Sequence, residues 1–465
     1  MKDAAEKHAG RNAMSQTRIS RGAGLPAASE GSGRPRSAPA LVVWLCWLVM
    51  FFDGFDLVMY GTVVPSLLDD EDWGLTPSGA GIIGGLALVG MIIGALGVGT
   101  LTDIIGRRWC AIGSMLGFST MMMISAVSPS PEILGLTRLL AGIGLGGAMP
   151  TVGALILEYT RPARKNLVFT LMFTGYSVGG VVAALVAIPL IPAFGWRAMF
   201  VLGALPLVTL VPLAIKYLPE SAAYLRSRGR DEEASRLTQR LNLHEETLAA
   251  AVEEAQQPRD GRTPAADLFR AGQLVRTLVL WAAMFCALLL IYGLTTWIPE
   301  VMRASGYPLG SGLWMLVAFN GGAAVGAVLA GRLADRFGSR TVLLVAFGAA
   351  SIALVLLSLR LPLAANLALV AVAGVGSIGT ANLMNVYVTS FYAVRSRATA
   401  LGWTLGIGRI GAVLGPVIGG VLLGVGLDAA WNFYLFSAVA VLGAIAVALV
   451  PRAKEPVEPV GVVVH

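Results

Sequence analysis

Twelve separate runs of about 20 apolar residues are distributed along the 465-residue chain. An α-helix needs about 20 such residues to cross the hydrocarbon core of a bilayer. The runs lie near residues 40–65, 79–101, 109–128, 132–157, 167–191, 197–217, 274–298, 311–333, 340–359, 364–390, 398–424 and 429–451. The sequence therefore predicts an all-α integral membrane protein with twelve transmembrane helices, surrounded by a lipid bilayer.

The balance of apolar and charged residues excludes an ordinary soluble domain. Hydrophobic residues make up 56% of the chain and charged residues 13%, whereas soluble domains are about 45–50% apolar and about 25% charged. Lys and Arg are concentrated in the even-numbered short loops, which accounts for the net charge of +7 without a nucleic-acid partner. The positive-inside rule then places both termini in the cytoplasm of a plasma-membrane protein.

Polar segments divide the chain into five regions. Residues 1–38 are rich in Gly, Ser, Ala and Pro and are expected to form a disordered cytoplasmic tail, and residues 452–465 form a second tail. The first apolar run is full length and begins near position 40, which argues against a cleaved signal peptide. Two six-helix halves, 39–217 and 274–451, are joined by a charged cytoplasmic loop at 218–273 that is expected to be helical in part.

A ten-residue pattern occurs twice in the chain. GTLTDIIGRR at 99–108 and GRLADRFGSR at 331–340 share G-x-L-x-D-x-x-G-x-R, and the two copies are 232 residues apart, half the length of the chain. Chance does not readily repeat such a spacing at half-length. The duplication therefore predicts two halves of equal topology, with each copy in the loop after the second helix of its half.

This duplicated loop resembles the signature of the major facilitator superfamily, and LPESAAYL at 218–225 resembles a segment found in several of its branches. DGFD in the first helix, followed by WGLTPSGAG at 73–81, resembles the aromatic acid:proton symporter family within it. The resemblance implies that the chain transports as a monomer. It also implies roles for charged residues: Asp103, Arg107, Asp335 and Arg336 as a conformational gate, and Arg138 and Arg409 in binding or gating an anionic substrate.

Two aspartates stand inside the first apolar run. Asp53 and Asp56 are three residues apart, so they lie on one face of the helix, and Tyr60 extends that face. A charged side chain at the centre of a bilayer helix costs about 2.5–3.5 kcal/mol, so two of them require a reason. The spacing predicts one shared environment in which both carboxylates cannot be ionised together, a property that suits proton transfer.

The alternative is that these aspartates are structural partners of buried arginines. Arg138 in the fourth run and Arg409 in the eleventh are the candidates, and a guanidinium also binds a carboxylate ligand through two hydrogen bonds. Gly54, between the aspartates, would let a partner helix or a substrate come close.

Several other polar residues lie at membrane depth. Glu158, at the cytoplasmic end of the fourth run, has two interpretations: an ion pair with Arg161 or Arg164, or a gating role beside Asp103. The candidates for substrate contacts are Tyr176, Asn320, Asn382 and Asn385, although hydrogen bonding between helices is the more frequent use of such residues. The acidic cluster Asp69–Asp72 is expected to be solvated, and the three cysteines have no disulfide or metal-ligand spacing, so no metal and no cofactor is expected.

These observations predict a proton-coupled symporter that imports a small aromatic carboxylate by alternating access of its halves. Asp53 and Asp56 are the expected proton-coupling residues. Another substrate of the same superfamily, such as a sugar, a non-aromatic organic acid or an exported drug, is the alternative. A membrane-embedded enzyme is disfavoured because no segment pairs a nucleophile with a base. A sensor that binds its ligand without moving it stays open.

Overall fold

The computed structural model describes residues 38–160, 165–241, 268–269, 273–359, 361–392 and 394–451. In this part of the chain, twelve helices are long and apolar enough to cross a membrane. The first half contains α1 (Ala38–Leu68), α2 (Pro77–Ile105), α3 (Arg107–Ala126), α4 (Pro131–Tyr159), α5 (Lys165–Phe194) and α6 (Arg197–Tyr217). The second contains α7 (Leu274–Ala304), α8 (Leu309–Phe337), α9 (Ser339–Leu357), α10 (Leu363–Thr389), α11 (Val394–Gly424) and α12 (Ala430–Leu449). The predicted fold class is confirmed.

Two of these helices are not regular along their whole length. α6 consists of the pieces Arg197–Gly203 and Leu210–Tyr217, which are separated by a 3₁₀ turn that contains Pro206. α10 includes a π-helical turn at Val375–Gly379. Proline removes a backbone hydrogen-bond donor, and a π turn inserts one extra residue into a helix. Neither changes the hydrophobicity of its segment, so neither break is visible in the pattern of apolar runs.

The central loop is partly helical, as expected, with short helices at Ala222–Ser227 and Asp231–Leu241. Residues 242–267 of the same loop lie outside the described residues, as do residues 1–37 of the tail that was expected to be disordered and the second tail at 452–465.

Glycines join the helices of each half into pairs. In α2 and α4, a Cβ atom at Gly90 or Gly94 would overlap a backbone carbonyl of α4, and one at Gly142 or Gly146 would overlap a carbonyl of α2. The same close backbone approach joins α1 to α5, α7 to α11 and α8 to α10. Since small residues let helix backbones meet in a bilayer, these four pairs hold each half together. Equivalent pairs recur in the two halves, which agrees with the duplicated sequence.

We expect Gly142→Ala to destabilise the protein by about 1–3 kcal/mol, because its methyl group would push α4 away from the Ala87 carbonyl of α2. Gly113→Ala in α3 is the matched control, since nothing lies within 4 Å of its Cβ position. There the better helix propensity of alanine should leave stability equal or raised. Thermal unfolding in detergent measures both, and equal shifts for the two variants would contradict the packing argument.

The two halves contact each other through α1 and α7, α2 and α11, and α5 and α8. Close backbone approaches between halves occur at Gly61 against Thr295, Gly81 against Pro416 and Gly420 against Pro77. These contacts lie towards the ends of the helices that are far from the duplicated loops, here called the closed end. Around the loops, the described glycines make no close approach between the halves, and Gly99 and Gly331 have nothing within 4 Å of their Cβ positions. This end is here called the open end.

Candidate functional site

Asp56 and Arg138 form a buried ion pair between α1 and α4. Each residue is 1% exposed, and Arg138 Nη1 donates a hydrogen bond to Asp56 Oδ1. The guanidinium also lies 5.2 Å from the centre of the Tyr60 ring, a cation–π contact. This is the arrangement that the structural alternative expects for Asp56.

Asp53 has a different environment from Asp56. It is also 1% exposed, yet neither of its carboxylate oxygens has a hydrogen-bond partner among the described residues. The spacing of the two aspartates predicted one shared environment. They lie within electrostatic range of each other, but only Asp56 has a hydrogen-bond partner among the described residues. Three residues are less than one full turn of α1, so the two side chains differ in direction by about 60°. Asp56 faces α4, while Asp53 lies near Tyr176 of α5, Tyr292 of α7 and Arg409 of α11.

Arg409 lies within electrostatic range of Asp53, although it belongs to the other half. Both residues are at the midpoints of their helices, α11 and α1. Arg409 is only half-buried, and its Nη1 donates a 3.0 Å hydrogen bond to the Met91 carbonyl of α2. The helix midpoints therefore bring together a buried carboxylate and a cation whose only described hydrogen bond is to a backbone carbonyl of the opposite half.

Two tyrosines complete this group, and one of them was missed in the sequence. Tyr176 of α5 and Tyr292 of α7 are neighbours, and both lie within electrostatic range of Asp53. Tyr176 was a predicted contact residue. Tyr292 was not, although it follows Tyr60 by the same 232 residues that separate the duplicated loops, a spacing that could have revealed it. Gly54 accommodates the Tyr176 backbone carbonyl, so its missing side chain serves a partner helix.

The three asparagines have separate environments. Asn320 is 1% exposed, donates to the Leu316 carbonyl of its own helix at 3.0 Å, and lies against Gly180 of α5. Asn382 is exposed, whereas Asn385 is half-buried and its Oδ1 has no partner in the described part of the chain. The described hydrogen bonds do not join these asparagines to Asp53 or Arg409.

A second charged cluster lies at the open end of the first half. Arg107 Nη1 is 3.0 Å from Glu158 Oε2, and the same carboxylate accepts from Ser221 Oγ at 2.7 Å and from the Ala223 N–H at 3.0 Å. Glu158 thus connects the duplicated loop to the central loop. Its expected partners Arg161 and Arg164 and the side chain of Asp103 lie outside the described residues.

Glu220 also belongs to this cluster, and the sequence did not single it out, although it stands within the LPESAAYL segment. Its Oε1 accepts from the Arg108 N–H at the start of α3 at 3.0 Å. Tyr224 of the same segment donates to the Ile104 carbonyl at 2.9 Å. A carboxylate at a helix N-terminus satisfies an otherwise unpaired N–H, so this segment stabilises the duplicated loop.

The last arginine of each duplicated loop has a structural role. Arg108 Nη2 donates to the Ile215 carbonyl near the end of α6 at 2.6 Å, and Arg340 Nη2 donates to the Ala448 carbonyl near the end of α12. Cations at helix C-termini satisfy unpaired carbonyls and favour the helix dipole. In the second half, the predicted gate residues Asp335 and Arg336 are exposed.

Comparison with known proteins places the chain in a family. The model of the Major Facilitator Superfamily matches residues 46–315 and 312–462. The chain belongs to the major facilitator superfamily. This membership makes it a multi-pass membrane transporter and agrees with the expectation that it is not an enzyme.

Several transporters resemble this superfamily member over most of its length. The benzoate transport protein of Acinetobacter baylyi is 35% identical, with 90% of this chain and 92% of that protein covered. The gentisate transporter of Corynebacterium glutamicum is 35% identical, with 91% and 89% covered. The 4-hydroxybenzoate transporter PcaK of Pseudomonas aeruginosa is 37% identical, with 84% and 87% covered. The resemblance to the aromatic acid:proton symporters is thereby confirmed.

Solved structures support the fold of this superfamily member. The inward open conformation of the Escherichia coli xylose transporter XylE superimposes with a TM-score of 0.72 at 18% identity, covering 90% of this chain and 97% of that chain. A crystal structure of a D-xylose–proton symporter gives 0.71 at 18% identity, with 89% and 97% covered. At this identity the likeness concerns the fold alone.

Proposed function

We propose that this chain imports a small aromatic carboxylate together with protons, by alternating access of its two halves around Asp53 and Arg409. The names of its relatives support the substrate class, since they are transporters of benzoate, gentisate, gallate and 4-hydroxybenzoate. The arrangement of charges at the helix midpoints supports the mechanism.

The unpaired carboxylate of Asp53 is the observation that carries the proposal. An ionised carboxylate that is buried without a hydrogen bond costs several kcal/mol. Arg409 lies within electrostatic range of Asp53 and can serve either Asp53 or the carboxylate of a substrate. When substrate occupies Arg409, Asp53 takes a proton; when substrate leaves, Arg409 stabilises the ionised Asp53 and the proton departs. Proton and substrate then travel together.

Arg409 is the proposed partner of the substrate carboxylate, because a guanidinium forms two parallel hydrogen bonds with a carboxylate. Its present bond to the Met91 carbonyl would be given up when substrate binds. Tyr176 and Tyr292 come from different halves, and their hydroxyl groups and rings suit an aromatic acid. Arg138 holds Asp56, the second proposed proton-coupling residue, and protonation of Asp56 would release Arg138 for an anion.

The same cycle suggests which residues form the gate and how the protein is oriented in the membrane. We assign Asp103, Arg107, Glu158, Asp335 and Arg336 to the gate at the open end, where the halves would meet after substrate release. The arginine-rich loops at that end favour the cytoplasm, with both termini inside. The proposed transporter acts as a monomer in the plasma membrane.

Uptake by proteoliposomes tests the proposal. Radiolabelled benzoate and hydroxybenzoates are supplied outside, with an inward proton gradient and with or without a protonophore. Each pH unit provides about 1.4 kcal/mol per proton, and each 100 mV about 2.3 kcal/mol per net charge. We expect accumulation that follows the gradient and collapses with the protonophore. Absence of accumulation for every aromatic acid would refute the substrate class, and accumulation insensitive to the protonophore would refute proton coupling.

A further inference from the structure

We propose that the ion pair between Asp69 and Arg303 is the latch of the closed end, and that it breaks each time this end opens. Asp69 directly follows α1, and Arg303 is the penultimate residue of α7, so the pair joins the two halves. The inference extends the proposed alternating-access cycle and does not depend on which substrate is carried.

The geometry of the latch is well defined. Arg303 Nη1 lies 2.9 Å from Asp69 Oδ1 and donates to Oδ2 at 3.2 Å. Eight residues deeper on each helix, Gly61 of α1 lies against the Thr295 carbonyl of α7. The glycine contact brings the helices together and the ion pair joins their outermost turns. Since the closed end can open only if these turns separate, the ion pair cannot survive the opening.

Glu300 determines which partner leaves. Arg303 also donates two hydrogen bonds to Glu300 of its own helix, from Nε to Oε2 at 2.8 Å and from Nη2 to Oε1 at 2.9 Å. The Glu300 side chain is 9% exposed, so its charge requires Arg303, whereas the Asp69 side chain is 59% exposed and is readily hydrated when released. Arg303 therefore stays with Glu300 throughout the cycle, and Asp69 is the partner that is exchanged for water.

Because Arg303 keeps Glu300 and exchanges only the exposed Asp69 for water, the latch between Asp69 and Arg303 is weak. An exposed ion pair contributes little in water and is screened by salt, and the released Asp69 joins a loop that already contains three other acidic residues. The closed end is therefore biased towards closure without being locked, and a shift of about two- to fivefold in the opening equilibrium is expected when the pair is removed.

A cysteine reporter tests the latch in detergent, without substrate or proton gradient. Ser78 of α2 is half-buried at the closed end, with its Oγ 3.5 Å from the Gly420 carbonyl of α11. In Ser78→Cys protein, the rate of reaction with a charged maleimide measures how often this end opens. The native Cys46, Cys110 and Cys286 are buried, so protein without the reporter gives the baseline.

Adding Asp69→Asn should raise the labelling rate about two- to fivefold, and 0.5 M salt should raise the rate of the parent but not of this variant. Asp72→Asn removes the same charge from the same exposed loop and should leave the rate unchanged. Arg303→Lys keeps a positive charge beside Glu300 but loses the guanidinium that hydrogen-bonds to Glu300 and Asp69 together. It should also accelerate labelling. Equal rates for Asp69→Asn and its parent, or equal acceleration by Asp72→Asn, would overturn the latch. Because substrate is absent, neither outcome bears on the proposed substrate class.

Discussion

Asp53→Asn should abolish uptake against a concentration gradient while the protein still folds and binds substrate. One proton moving down a gradient of two pH units supports about a hundredfold accumulation, since each unit is worth a factor of ten. Asparagine has nearly the shape of a protonated aspartate but cannot release a proton. The variant should therefore equilibrate its substrate to about onefold. Folding should be little affected, because the Asp53 oxygens have no hydrogen-bond partner to lose in the described part of the chain.

Two assays separate the proton role from simple inactivation. Counterflow, in which unlabelled internal substrate drives entry of labelled substrate without a proton gradient, should persist in Asp53→Asn. Asp72→Asn, which removes a carboxylate from the exposed first loop, should accumulate substrate like the wild type. Full gradient-driven accumulation by Asp53→Asn would exclude Asp53 from proton coupling.

Arg138→Gln should destabilise the protein by about 3–5 kcal/mol, because it leaves Asp56 buried without its ion-pair partner. The double variant Asp56→Asn/Arg138→Gln should recover most of this loss, since it removes the unpaired charge as well. Arg236→Gln is the control at an exposed pair, because the side chains of Arg236 and its partner Glu232 are 77% and 88% exposed, and its cost should be about 1 kcal/mol or less. Thermal unfolding in detergent measures all three.

Transport by the double variant then separates two roles of the pair. If the double variant folds and still accumulates substrate, Asp56 and Arg138 serve the packing of α1 against α4. If it folds without accumulating, they belong to the transport machinery. Equal unfolding temperatures for the single and double variants would contradict the buried-charge argument.

Much of the fold could be predicted because a bilayer imposes a strict length on apolar helices. The twelve helices follow from runs of about 20 residues, and the two halves from a pattern repeated 232 residues later. The breaks in α6 and α10 were not predicted, since Pro206 and the π turn at Val375–Gly379 do not alter the apolar character of their segments.

The candidate site was predictable only in its components. The cost of charge in a bilayer identified Asp53, Asp56, Arg138 and Arg409, but not which carboxylate meets which guanidinium. That choice depends on how α1, α4 and α11 are rotated about their axes, and backbone contacts at glycines set the rotation. Glu220 escaped notice for a related reason. A glutamate in a polar loop has no local signal for a partner that lies 112 residues away.

The close contacts at glycines between the paired helices of each half also determine which positions tolerate substitution. A glycine whose added methyl group would overlap a backbone carbonyl accepts substitution only at a cost in stability, so a saturation library should be depleted of variants at Gly90, Gly94, Gly142 and Gly146. Lipid-facing positions should drift freely. New substrate preferences would therefore arise, in nature or by directed evolution, through side chains at the helix midpoints. The glycine contacts between the paired helices would remain unchanged.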